Sequence, residues 1–262
     1  MEPLVLPEAV RAVVGDAEIV TVSVGRSAAT TVRARRGTAD WFVKIQSLDP
    51  LETSLAGERD RLQWLAGFVP VPEVVSAGVD DTTEWLITVA LDGTDGTDPA
   101  HHVDLEHLIR TLAHGLRAFH DAVPVDACPF DASTDVAIER ARARVAAGRV
   151  DPTEFQPIHH GFDPAELLEM VVASRAPTDA DLVVLHGDYC VPNVLITDGA
   201  ISGYVDLGHA GVGDRHRDLA IACRSVAHNF GGHSVGLFLD AYGVDRPDLA
   251  RLDFFVMLDE LH

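Results

Sequence analysis

The chain has 262 residues, 47% of them apolar, and a formal charge of −21. Its length exceeds the usual size of a single core, so two lobes are expected, and the apolar fraction is enough to fill both. No stretch approaches the roughly 18 uninterrupted apolar residues of a membrane helix, and so acidic a surface disfavours nucleic acid and anionic membranes while attracting cations.

The start Met1-Glu2-Pro3 lacks the basic region of a secretory signal, so a cytoplasmic location is expected. Cys128, Cys190 and Cys223 are an odd number without metal-ligand spacing, which points to reduced, buried thiols. The charge suits a polycationic partner but equally a merely solubilising surface.

In chain order, Ile19-Val20-Thr21-Val22 and Thr31-Val32-Arg33-Ala34 read as strands around Val24-Gly25-Arg26-Ser27-Ala28. That segment lies where a phosphate-covering loop belongs, with Gly25 and Ser27 as candidates. It has one glycine and does not match G-x-G-x-x-G, so an ordinary hairpin turn remains open. Trp41-Phe42-Val43-Lys44-Ile45 is a third strand carrying a single lysine.

Residues 51–65 read as a helix with Leu55, Leu62 and Leu65 on one face, and Glu58 falls on that face. A carboxylate in an apolar stripe needs a buried cation, and Lys44 is the candidate, unless Glu58 lies at the stripe's edge and reaches solvent. Trp85 to Ala90 form the last strand of this half. The Gly/Asp/Thr-rich segment 92–97 reads as an exposed connection, which divides the chain into a nucleotide-binding lobe (1–91), a linker (92–97) and a catalytic and substrate-binding lobe (98–262). Backbone groups of Val89 and Leu91 are candidates for pairing with an adenine edge.

The second half reads as mainly helical. Leu105, Leu108, Ile109, Leu112, Leu116 and Phe119 define an amphipathic helix over 103–120. Further helices are expected over 134–147, from Pro164 with Asp163 as N-cap, over 218–229 and over 234–242. Asp214 and Asp218 read either as a solvated capping cluster or as an anchor for the loop described next. The pairs His101-His102 and His159-His160 lack metal-ligand partners and read as surface or loop residues.

The chemistry concentrates in His186-Gly187-Asp188-Tyr189-Cys190-Val191-Pro192-Asn193 and Asp206-Leu207-Gly208. An aspartate, an asparagine five residues on and a second aspartate thirteen further repeat the order of a kinase catalytic loop and its metal-binding aspartate. Asp188 is the candidate base for an acceptor hydroxyl, and Asn193 and Asp206 are the candidate magnesium ligands. Apolar runs at 182–185 and 194–196 and a turn at Asp198-Gly199 place each carboxylate just past a strand. His186 reads as a brace for the loop.

These residues, with Glu58-Arg59-Asp60-Arg61-Leu62-Gln63-Trp64-Leu65, Cys128-Pro129-Phe130 and Leu258-Asp259-Glu260-Leu261, resemble the aminoglycoside O-phosphotransferases, antibiotic-resistance enzymes of the 3′ and 3″ subgroup, from Gly25 to the C-terminus. The resemblance implies an α+β, bilobal, protein-kinase-like fold with an antiparallel-sheet N-lobe and a helical C-lobe. It implies ATP and Mg2+ as cofactors, a small polycationic aminoglycoside as partner, and a monomer or weak dimer. It assigns Lys44 to the phosphates, Glu58 to Lys44, and the drug to Asp188, His209, Arg224, Asp259, Glu260 and His262 with its carboxylate. The chain departs from the kanamycin/neomycin 3′-enzymes at Gln156-Pro157-Ile158, where they carry acids, and at His209, Ser225 and His262. Fewer acids weaken the grip on amino-rich drugs, so streptomycin is the expected acceptor and kanamycin or neomycin the alternative. Another alcohol kinase or a non-catalytic nucleotide-binding module are the remaining readings.

Overall fold

A computed structural model describes residues 6–22, 29–175 and 181–262. Gly25 and Ser27 lie outside the described residues. After a short helix, α1 (Glu8–Val14), come strands β1 (Glu18–Val22), β2 (Thr30–Arg36) and β3 (Ala39–Ser47), then α2 (Leu55–Leu65), β4 (Val74–Val79) and β5 (Thr83–Val89). The five strands form one antiparallel sheet in the order β1-β2-β3-β5-β4, with Lys44 opposite Thr31 on one side and Leu86 on the other. Alternation turns Val32, Ala34, Val43, Ile45, Trp85 and Ile87 to one face, where Val10 and Val14 of α1 cover them.

Helix α2 packs on β4 and β5. Ser54 caps it by accepting the Gly57 N–H at 3.0 Å, and Leu55, Glu58, Leu62 and Leu65 are its buried residues. The expected stripe is present with the glutamate inside it.

The remainder contains β6 (Thr94–Asp95), α3 (Leu105–Ala122), α4 (Thr134–Ala146), α5 (Pro164–Ser174), β7 (Leu182–Leu185), β8 (Val194–Thr197), β9 (Ala200–Tyr204), β10 (Gly211–Asp214), α6 (His216–Phe230), α7 (Ser234–Tyr242) and α8 (Leu249–Asp259). Residues 92–94 are exposed as expected of a connection, yet Thr94 and Asp95 pair with β8, so this segment also contributes a strand to the second sheet, β6-β8-β9. Leu108, Ile109, Leu112, Leu116 and Phe119 of α3 are buried beneath that sheet and the loop before it. Each such side chain contributes roughly 1.5–3 kcal/mol of apolar transfer free energy.

Asp163 and Glu166 make a reciprocal capping box at α5. Asp198 and Gly199, with φ of 50° and 75°, make the tight turn that joins β8 to β9. Three helices have starts that differ from expectation, and α2 is the first, beginning at Leu55 after its Ser54 cap rather than at 51. α3 begins at Leu105 because Pro99–Asp104 form a 3-10 turn before it, and α6 begins at His216, so Asp218 lies inside its first turn rather than at its first position. The three cysteines are free and half-buried, less enclosed than expected. No described helix is long and apolar enough to cross a membrane.

Candidate active site

Strand β3 carries Lys44 to the cleft face of the sheet, and α2 presents Glu58 to it. The Lys44 ammonium donates to Glu58 Oε1 at 2.6 Å and also contacts Asp206 Oδ1. Lys44 thus bridges two carboxylates from opposite halves of the chain. Burial opposes its charge, but Glu58 and then Asp206 outweigh burial and raise its pKa. Glu58 is 6% exposed, and burial lifts its pKa against the pull of Lys44.

Asp206 follows β9 and takes a left-handed backbone with φ of 60°, uncommon for a residue with a side chain. Its surroundings disfavour the charge, yet Lys44 more than compensates and holds the carboxyl below its ordinary range. Its side chain is 47% exposed and opens onto the cleft.

Asp188 lies in the loop between β7 and β8. Asn193 donates from Nδ2 to the Asp188 carbonyl at 3.0 Å and to Asp188 Oδ2 at 2.9 Å. Both amide hydrogens are engaged within the loop, so Asn193 Oδ1 is left as an acceptor. A hard cation takes oxygen ligands of this kind, so Asn193 Oδ1 and the free oxygen of Asp206 fit a magnesium site. Burial, then the charges of Asp259 and Asp206, push the Asp188 carboxyl up to about 6, while Asn193 and Arg224 pull the other way.

The loop is braced from beneath. Asp218, fully buried, accepts the His186 N–H at 2.7 Å and the Gly187 N–H at 2.9 Å. His120 donates from Nε2 to Asp218 Oδ2 at 3.0 Å, and its Nδ1 meets the Tyr242 hydroxyl at 2.8 Å, which completes a buried chain from α7 to the loop. The anchoring reading of Asp218 therefore holds over the solvated one. Asp214 is buried too and engages His216 and Arg251. His186 braces the loop as expected, its Nδ1 facing the Asp188 N–H at 3.4 Å, and burial lowers its pKa to about 4. Ser225 Oγ accepts the Val191 N–H at 2.9 Å, and Tyr189 donates to the Leu112 carbonyl at 2.8 Å. Sequence reasoning missed His120, Tyr242 and the bracing role of Ser225, since no local signal joins residues so far apart in the chain.

The residues assigned to substrate are placed unequally. Arg224 is ion-paired with Asp259. Glu260 is engaged internally by the Gln156 N–H and by His159 Nδ1, the latter at 2.5 Å. His209 contacts Thr53 Oγ1 at 3.2 Å and Arg140 at 3.2 Å, and its backbone packs on Gly187. His262 has a buried Nε2 with no hydrogen-bond partner among the described residues. The Val89 N–H is taken by the Glu73 carbonyl at 2.9 Å, whereas among the described residues no backbone group engages the Leu91 N–H. Leu91 packs its side chain on Gly203.

Residues 18–255 match the model of the phosphotransferase enzyme family. An aminoglycoside 3′-phosphotransferase of Streptomyces fradiae is 39% identical over 228 residues, which cover 84% of each chain. A crystal structure of an aminoglycoside 3′-phosphotransferase of type VIII superposes with a TM-score of 0.86 at 33% identity, covering 97% of each chain. An aminoglycoside phosphotransferase of Streptomyces rimosus, solved with ADP and streptomycin, superposes with a TM-score of 0.80 at 26% identity over 96% of this chain and 95% of its own. The bilobal, kinase-like fold and the bridge of Lys44 to Glu58 and Asp206 agree with these likenesses, and the chain belongs to the aminoglycoside phosphotransferases of the phosphotransferase enzyme family.

Proposed function

We propose that this protein transfers the terminal phosphoryl group of ATP to a hydroxyl of an aminoglycoside and thereby confers resistance to the drug in the cytoplasm. The observation that carries the reading is the convergence of Lys44, Glu58 and Asp206 at one end of the cleft with Asp188 and Asn193 at the other.

Lys44 would hold the nucleotide phosphates, and Glu58 fixes its position. Asn193 and Asp206 would hold magnesium, which supplies neutralisation of the phosphate charge. Asp188 would accept the proton of the acceptor hydroxyl as that oxygen bonds to phosphorus and the bond from phosphorus to the ADP oxygen breaks. The proton then leaves Asp188 for solvent and the site is restored. Leu91, whose N–H no backbone group engages among the described residues, is the better candidate of the two for an adenine edge.

Greater similarity to the 3′-phosphotransferases supports the 3′-hydroxyl of a kanamycin- or neomycin-type drug as acceptor. Streptomycin is the second reading. It is favoured by the engagement of Glu260 with His159 and Gln156, and of Asp259 with Arg224, which leaves fewer carboxylates for an amino-rich drug. ADP release measured with kanamycin, neomycin and streptomycin in turn tests both. Release with none of them would sink the proposal, and release with streptomycin alone would reverse the order of acceptors.

A further inference from the structure

Helix α2 is held at its start by two buried side chains of the sheet. Glu84 of β5 accepts the Leu55 N–H at 3.0 Å and the Ala56 N–H at 3.4 Å through Oε2. Its Oε1 accepts from Gln46 Nε2 of β3 at 2.7 Å, and the same amide donates to the Thr53 carbonyl at 2.9 Å. Gln46 is paired with Glu84 across β3 and β5, as Lys44 is with Leu86. Lys44 and Gln46 are two residues apart and therefore lie on one face of β3.

Local capping does not account for Glu84. Ser54 already caps the helix by accepting the Gly57 N–H at 3.0 Å, and the Ser54 carbonyl accepts the Glu58 N–H at 3.0 Å. Burying a carboxylate is costly, and among the described residues Glu84 has no ion pair. Its charge is stabilised instead by two backbone N–H groups, the Gln46 amide and the positive end of the helix dipole. What Glu84 adds to the helix is a tie to the strand that carries Lys44.

That tie bears on the lysine. Glu58 lies three residues beyond Leu55 in the first turn of α2, and its Oε1 takes the Lys44 ammonium at 2.6 Å. Asp206 contacts the same ammonium, so the place of Glu58 decides how Lys44 is shared between them. A helix set further from the sheet would leave Lys44 to Asp206 alone.

We propose that Glu84, held by Gln46, is a positioning residue for phosphoryl transfer: it fixes the start of α2 against β3 and β5 so that Glu58 meets Lys44. The role rests on the reading of Lys44 as the group that holds the nucleotide phosphates. It acts through Glu58 and touches neither nucleotide nor drug.

The test is ADP release by the full chain with whichever of kanamycin, neomycin and streptomycin the wild type turns over. Glu84→Gln keeps the size of the side chain but replaces one acceptor oxygen by a donor. Its kcat/KM for ATP should fall on the order of 10- to 10²-fold, as for a slight misplacement of a group that orients the reactants, with KM for the drug unchanged. Glu58→Gln and the double variant Glu58→Gln/Glu84→Gln should have equal kcat/KM for ATP, because the second change has nothing further to displace. Ser54→Ala, which removes the local cap and leaves the tie to the sheet, should lower the thermal midpoint without changing kcat/KM for ATP. If Glu84→Gln does not fold, Gln46→Met, which removes the amide between Glu84 and Thr53, carries the same comparison. Release with none of the drugs by the wild type would remove the proposed function and this role with it. Wild-type release with an undiminished Glu84→Gln, losses that multiply in the double variant, or an equal loss in Ser54→Ala would each overturn this role alone.

Discussion

Asp218 holds Gly187 by its backbone: Oδ1 accepts the Gly187 N–H at 2.9 Å while Oδ2 accepts that of His186 at 2.7 Å. The position of the catalytic loop is thus set by a carboxylate that never faces the cleft. Burial raises the pKa of Asp218, but the hydrogen bond and charge of His120 outweigh it and leave the group below its ordinary value. A depressed carboxyl stabilises the fold fully above its unfolded pKa near 4 and loses that contribution as pH falls through the folded value. Asp218→Ala should cost about 3 kcal/mol in urea unfolding at pH 7, with the difference from wild type shrinking in strong acid. An unchanged urea midpoint would show that the loop is held by other means.

Asp188 has its pKa pushed up to about 6 by burial and by the charges of Asp259 and Asp206. Since the working base is the deprotonated form, kcat/KM should rise with pH through about 6 and level above it. The sign for stability is opposite: a raised folded pKa favours the protonated form, so stability from this group is present at low pH and declines as pH rises from 4 through 6. Asp188→Asn should cut kcat on the order of 10²- to 10⁴-fold and abolish the acidic limb. Turnover near that of wild type would remove Asp188 from the mechanism.

Lys44→Met leaves Glu58 buried without its cation and next to the charge of Asp206. Loss of one partner of a buried pair costs about 3–5 kcal/mol, so the variant should unfold at lower denaturant and lose ATP turnover together. Lys44→Met combined with Glu58→Gln should recover stability without recovering turnover. Recovery of both would separate Lys44 from phosphate binding.

Gly187 has φ of 88°, and a Cβ at this position would run into the backbone of His209. Both the left-handed conformation and the contact with main chain resist relief by a rotamer change. Gly187→Ala should cost roughly 1–3 kcal/mol and misplace Asp188 one residue later, which enzyme assays and thermal unfolding would read separately. A fully active, equally stable variant would show that His209 yields.

The sequence carried most of what local periodicity can encode. The strands at Trp41 to Ile45 and Trp85 to Val89, the α2 stripe with Glu58, and the capping box at Asp163 were legible because each rests on neighbours within a few residues. Helix α8 was not: Phe254, Phe255, Met257 and Leu258 are all buried, so the element is enclosed on several sides and lacks an amphipathic rhythm. The chain Tyr242–His120–Asp218 was hidden for another reason, since its hydrogen bonds join positions 98 and 122 residues apart. The fate of Glu260 was equally nonlocal. Its acidity was visible, but its engagement with His159 depends on how α8 meets the 156–160 segment.

The bridge from Lys44 to Glu58 and Asp206 has a consequence for inhibitor chemistry. A single ammonium there neutralises two anions belonging to separate halves of the molecule, so the protein's own side chains already make a closed electrostatic circuit at this end of the cleft. A compound that inserts its own amine between Asp206 and Asp188 would displace no native cation from Asp188, yet would have to compete with Lys44 at Asp206. Selectivity is therefore to be sought at the Asp188 end, where the carboxyl lacks any lysine or arginine ion pair among the described residues.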